Sequence, residues 1–151
     1  HTNLMHIATS SSKIDISRES LTAKFAKEFS KKLKVGDVIL LYGDIGVGKT
    51  TFVRYLINSL EKQKKIKLSE VTSPTFSILN EYEIKDITIR HYDLFRIKHS
   101  KEINNIGLYD NSHNFVSFIE WPEKVKKKFE SKYSLFFRHN SRSGKRLIEF
   151  R

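Results

Sequence analysis

The 151-residue chain contains no cysteine. Disulfides and thiolate metal sites are therefore excluded, and a reducing, cytoplasmic setting is the expectation. Long apolar runs are missing as well. None approaches the roughly 20 residues that cross a bilayer, so no membrane partner is expected. The opening stretch HTNLMHIATSSSK has no continuous apolar core and does not read as a secretory signal. The six histidines show no paired metal spacing, so no zinc is expected. Acidic residues are the minority, 17 against 28 Lys and Arg, which leaves a formal net charge of +11. That balance suits an anionic partner such as nucleotide or RNA, and it equally suits a lysine-rich solvated surface. There are no repeats and no linker-like stretch, so residues 1–151 are expected to form one domain.

The segment 17–34 places Leu21, Phe25, Phe29 and Leu33 four residues apart, the stripe of an amphipathic helix, with Ser17 as its expected N-cap. Gly36 then turns the chain into VILLY, a buried-strand pattern. A second helical pattern, KTTFVRYLINSLEKQ, carries Phe52, Leu56 and Leu60 and closes on cations suited to the negative end of the helix dipole. From Val71 the period changes. VTSPTFSILNEYEI reads as extended and pairs, through a turn at Lys85-Asp86, with ITIRHYDLF. Residues 98–114 read as loop or short helix, FVSFIEW as a strand, and PEKVKKKF as a short helix opened by Pro122. The tail from Tyr133 reads as a terminal hairpin.

Between VILLY and the second helix lies Gly43-Asp44-Ile45-Gly46-Val47-Gly48-Lys49-Thr50. The string fits G-x-x-x-x-G-K-[ST], and its position after a strand and before a helix is what phosphate binding requires. Glycines let the backbone curl so that successive N–H groups face phosphate oxygens. Lys49 adds a mobile positive charge, Thr50 offers a hydroxyl to Mg²⁺, and the helix contributes its positive end. An ordinary glycine turn would have no use for Lys-Thr after the last Gly.

Such a loop needs a carboxylate to hold Mg²⁺ or orient water. Asp93 and Glu120 each end an apolar strand, where ligands gather in parallel sheets. Either acid fits the metal, and either is also compatible with a surface ion pair. His91 would share the strand face of Asp93, as a structural residue or one that orients another side chain. The hydroxyls of Thr72-Ser73-Pro74-Thr75 suit a turn, and beside a γ-phosphate they suit a switch segment.

The ordered set GDIGVGKTT, SPTF (73–76), HYDLFR (91–96) and IEWPE (119–123) resembles the TsaE (YjeE) family, P-loop ATPases of tRNA threonylcarbamoyladenosine formation. The resemblance runs from about Ser17 to the last hairpin. It implies an α/β, P-loop NTPase-like fold: a mixed parallel/antiparallel central sheet flanked by helices, with a C-terminal β-hairpin. It implies ATP or ADP and Mg²⁺ as cofactors, with Thr50 and Glu120 as metal partners, Asp93 as the essential acid and Lys49 in the phosphate cradle. Gly43, Asp44, Gly46, Val47, Gly48 and Thr51 belong to that cradle by the same resemblance. Thr75 corresponds to the switch hydroxyl, Trp121 and Glu123 lie beside the nucleotide, and Thr22 and Arg146 are further candidates. The implied partners are the TsaB and TsaD proteins, with tRNA reached through that assembly. Departures are small: Ile45 and Val47 stand for the commoner Leu and Ala, and Phe95 replaces the usual Tyr, removing a hydroxyl.

Two rival readings remain at this level. A small-molecule kinase would need an acceptor pocket and an Arg-bearing lid, for which a chain ending in hairpins has little room. A basic RNA-binding module would use the aromatics and cations of YSLFFRHNSRSGKR, although alternating Phe and Tyr suit a strand core better.

Overall fold

The computed structural model describes residues 12–99, 102, 112–125, 129–131 and 133–151. In chain order they form β1 (Ser12–Asp15), α1 (Glu19–Ser30), β2 (Val38–Tyr42), α2 (Lys49–Gln63), β3 (Leu79–Ile84), β4 (Ile87–Asp93), β5 (Val116–Glu120), β6 (Tyr133–His139) and β7 (Arg146–Phe150). One sheet holds all seven strands in the order β1-β7-β6-β2-β5-β4-β3. Its centre is parallel, β2 lying between β5 and β6 with β4 beyond β5. Its margins are antiparallel, through β3–β4, β6–β7 and β1–β7. The architecture is α/β with a mixed sheet and a P-loop-like strand–loop–helix at its centre.

Both described α-helices cover the same face. Phe25 and Phe29 of α1 and Phe52, Val53, Leu56 and Ile57 of α2 are essentially inaccessible and meet Ile39, Leu41, Phe118, Leu135 and Phe150 of the sheet. Three rings form the joint between the layers, Phe52 lying 5.6 Å from both Phe25 and Phe29. The opposite face buries Leu40, Tyr92 and Ile119 under Leu94, Ile97 and Val125, none of them in an α-helix. Continuous apolar runs such as VILLY and VSFIE follow from this, because strands covered on both faces need apolar side chains in both directions.

Several boundaries differ from the sequence reading. The first helix spans Glu19–Ser30 rather than 17–34, and Arg18 occupies its cap position without a side-chain capping bond. Ser17 is not the N-cap. Its hydroxyl instead accepts the Arg146 N–H at 3.0 Å, tying the helix entry to β7. Thr75–Ser77 form a turn, and Ile78, at φ 69°, delays the strand to Leu79. The hairpin turn falls at Lys85-Asp86 as expected, with Ile84 opposite Ile87. Within PEKVKKKF, Pro122–Lys124 form a 3₁₀ turn and Val125 is extended, so no α-helix opens at Pro122. Most of the 98–114 reading, and part of PEKVKKKF, lie outside the described residues. The C-terminal hairpin is present and sits inside the sheet, because β1 adds to its outer edge.

Candidate active site

β2, β4 and β5 run parallel, so their C-terminal ends open at one edge of the sheet. Register then fixes who meets whom. Glu120 lies opposite both Leu41, just before the glycine loop, and Asp93 at the end of β4. Two carboxylates separated by 27 positions in sequence are thereby neighbours beside the loop.

The loop takes its shape from backbone that side-chain-bearing residues rarely adopt: φ is 142° at Gly43, 79° at Gly46 and 110° at Gly48. Gly43 has a second reason to be glycine. A Cβ there would meet the Phe137 carbonyl at 2.7 Å. Val47 is buried beneath the loop, whereas Ile45 is 72% exposed at its crest.

A cavity of about 350 Å³ opens over these elements. The loop and first turn of α2 line it with Ile45, Gly46, Gly48, Lys49, Thr50 and Thr51. The segment before β3 contributes Ser73 and Thr75, the strand ends Asp93, Glu120 and Trp121, and the start of β7 Arg146. Five of the expected residues do not line it. Gly43 and Val47 support the loop from below, Asp44 is exposed at its side, and Thr22 is buried in α1. Glu123, likewise outside the lining, is exposed but close enough for its charge to act on Lys49. Ile45 and Ser73 line the cavity as well; the sequence offered Ser73 only as one hydroxyl of a turn or switch segment, and Ile45 only as a departure from the commoner Leu.

Polar contacts converge on Glu120, which is only 3% exposed. Its Oε2 accepts the Thr50 hydroxyl at 3.2 Å and is 2.6 Å from His91 Nε2. Its Oε1 is 3.9 Å from Lys49 Nζ. The Lys49 ammonium donates to the Gly43 carbonyl and sits 4.2 Å from the centre of the Trp121 ring. Burial pushes the Lys49 pKa below its ordinary value, and the charges of Glu120 and Asp93 only partly oppose that shift. Asp93 is held differently. Its Oδ1 accepts the Phe95 N–H at 2.9 Å and its Oδ2 the Thr75 hydroxyl at 3.2 Å, while Ser73 and Thr75 share a 2.7 Å hydrogen bond. Trp121 follows Glu120 in left-handed backbone at φ 59°, and its ring lies 4.9 Å from that of Phe95.

A curled glycine loop, a buried ammonium, a hydroxyl and two carboxylates are thus gathered around one cavity. A family model described as threonylcarbamoyl adenosine biosynthesis protein TsaE matches residues 16–148. The chain belongs to the TsaE family. The matched span of this TsaE-family chain contains the loop, both acids, Trp121 and Arg146. Among curated relatives, the tRNA threonylcarbamoyladenosine biosynthesis protein TsaE of Rickettsia typhi is 39% identical over 111 residues, covering 74% of each chain. The Aquifex aeolicus protein of the same name is 37% identical over 108 residues, covering 72% of this chain and 74% of its own. The Rickettsia conorii protein is 37% identical over 111 residues, which span 74% of this chain and 61% of that longer relative. A crystal structure of Bacillus subtilis YdiB shares the fold, with a TM-score of 0.70 at 24% identity over 93% of this chain and 84% of that one.

Proposed function

We propose that this TsaE-family chain binds and hydrolyses ATP, and that its ATPase cycle supports threonylcarbamoyl modification of adenosine in tRNA together with TsaB and TsaD proteins. The observation that carries the reading is the meeting of the Thr50 hydroxyl and Glu120 carboxylate, 3.2 Å apart, beside Lys49. The glycine loop alone would hold any phosphate. A hydroxyl hydrogen-bonded to a carboxylate at its rim supplies the hard oxygen donors that Mg²⁺ prefers. Among the described residues no group of three or more His, Asp or Glu could cage a metal. That fits an ion bound through one or two protein oxygens and completed by phosphates.

Thr50 and Glu120 would hold Mg²⁺, whose chemistry is to neutralise charge on the phosphate oxygens. Lys49 adds its ammonium to the same oxygens, released from Gly43 and the Trp121 face. Asp93 is an acceptor fixed by the Phe95 N–H and Thr75, suited to orient an attacking water. Its tie to Thr75 and Ser73 connects the acid to the segment expected to respond to nucleotide state.

Among the described residues no helix is long and apolar enough to cross a membrane. The reading is tested by titrating Mg-ADP into the wild type and Lys49→Ala, then assaying ATP turnover with and without the TsaB–TsaD pair. Binding and turnover in the wild type, lost in a folded Lys49→Ala protein, are expected. Unchanged turnover in that variant would sink the phosphate-loop assignment.

A further inference from the structure

His91 has no exposure at all and lies on β4 two residues before Asp93, on the face that looks toward α2. Its Nε2 is 2.6 Å from Glu120 Oε2. A carboxylate only accepts, so the ring carries its hydrogen on Nε2 and donates. That leaves Nδ1 as the bare acceptor. It has no partner among the described residues and no contact with solvent. A buried ring nitrogen without a donor is a standing cost. Phenylalanine, with nearly the same shape, would avoid it. What the imidazole supplies in return is the hydrogen bond to Glu120.

We propose that His91 is a positioning residue that fixes the Glu120 carboxylate for divalent-cation binding. This inference rests on the nucleotide-site reading above. Oε2 takes two donors, His91 from below and the Thr50 hydroxyl from the cavity side. Because the Thr50 hydrogen points at Oε2, the lone pairs of that hydroxyl face away from Glu120. Without the His91 bond, the glutamate loses its shortest hydrogen bond and is left with Lys49 and Thr50 as the polar groups nearest its carboxylate. Rotation toward the ammonium, 3.9 Å from Oε1, would then break the alignment of the two oxygen donors. Partners of this kind commonly contribute roughly 10- to 100-fold in metal affinity. Sequence alone offered a structural or orienting histidine without the side chain it would orient, because the bond spans 29 positions.

The test compares His91→Gln, whose amide nitrogen reaches the place of Nε2, with His91→Asn, whose amide falls short, and His91→Phe, which lacks a donor. Calorimetry measures ADP affinity without divalent ions and again with Mg²⁺ or Mn²⁺. Expected is near-wild-type affinity for metal-free ADP in all three variants. The gain conferred by the metal should fall about 10-fold or more in Asn and Phe and be largely kept in Gln. Should the Phe variant not fold, the Gln–Asn pair decides alone. A full metal-dependent gain in Asn or Phe overturns the proposal, and so does equal loss of metal-free binding in all variants, which would mark His91 as packing only. Absence of any ADP binding by the wild type overturns the nucleotide site itself, and this inference with it.

Discussion

Asp93 and Glu120 are both carboxylates at strand ends, yet their surroundings separate them. Glu120 is enclosed by a hydroxyl, an imidazole and an ammonium, whereas Asp93 is pinned by a backbone N–H and the Thr75 hydroxyl. Substituting each by Ala is expected to slow ATP hydrolysis by a factor on the order of 10² or more. Only Glu120→Ala should shift the Mg²⁺ concentration that half-saturates turnover. A Mg²⁺ titration of both variants checks this, and an equal shift in the two would contradict the assignment of roles. Trp121 offers a direct optical probe because it is the sole tryptophan. Its ring lies 4.2 Å from the Lys49 ammonium, so phosphates that draw Lys49 away must change the charge beside the indole. Emission is expected to change on Mg-ADP addition to the wild type and to stay flat in Lys49→Ala. A flat trace in a wild type shown by calorimetry to bind would place the nucleotide away from Trp121.

At the scale of elements, the glycine loop depends on β6 as well as on its own sequence. Gly43 packs against the Phe137 carbonyl and holds φ at 142°, so Gly43→Ala meets both a clash and backbone strain. A stability loss of about 1–3 kcal/mol is expected, together with weaker ADP binding, because the loop can relieve the clash only by moving off β6. Gly46→Ala makes the control. Its Cβ would meet nothing within 4 Å, so only the strain of φ 79° applies. Urea denaturation of the two variants should give the lower midpoint for Gly43→Ala, and equal midpoints would remove the role of Phe137. The helices show the same division between local and distant causes. Phe25 and Phe29 repeat at helical spacing and are buried as that spacing demands. Ser17 was legible as a cap by type alone, but β7 claims its hydroxyl, and tertiary bonding overrides the local preference.

For the molecule as a whole, the proposed function makes the chain a subunit that works with others. The cavity is open, and Arg146 is the one arginine among its lining residues. A trans-acting group commonly adds roughly 10³-fold or more to hydrolysis in P-loop enzymes. Turnover by the isolated chain is therefore expected to be slow and to rise by about that factor on addition of TsaB and TsaD. A coupled phosphate-release assay reads both numbers. Fast turnover alone, unmoved by the pair, would argue that this chain carries a complete active site.

The sequence by itself determined the elements whose causes are local. The glycine string, the switch to helical period after Lys49, the apolar runs of β2 and β5 and the Lys85-Asp86 turn are written within a few residues of where they act. The four motifs in order also pointed to the family that the chain proves to match. Tertiary structure alone decided the rest. The short strand SKID carries a single Ile and becomes β1 only by pairing with β7 at the far end of the chain. Thr22 and Arg146 were equal candidates in the sequence, and packing buried one in α1 while turning the other into the cavity. The choice of Glu120 over Asp93 as neighbour of Thr50 follows from the register of β5 against β2, with β4 one strand farther out. Such pairings rest on hydrogen bonds and buried contacts between residues distant along the chain, and no local pattern encodes which strand will lie beside which.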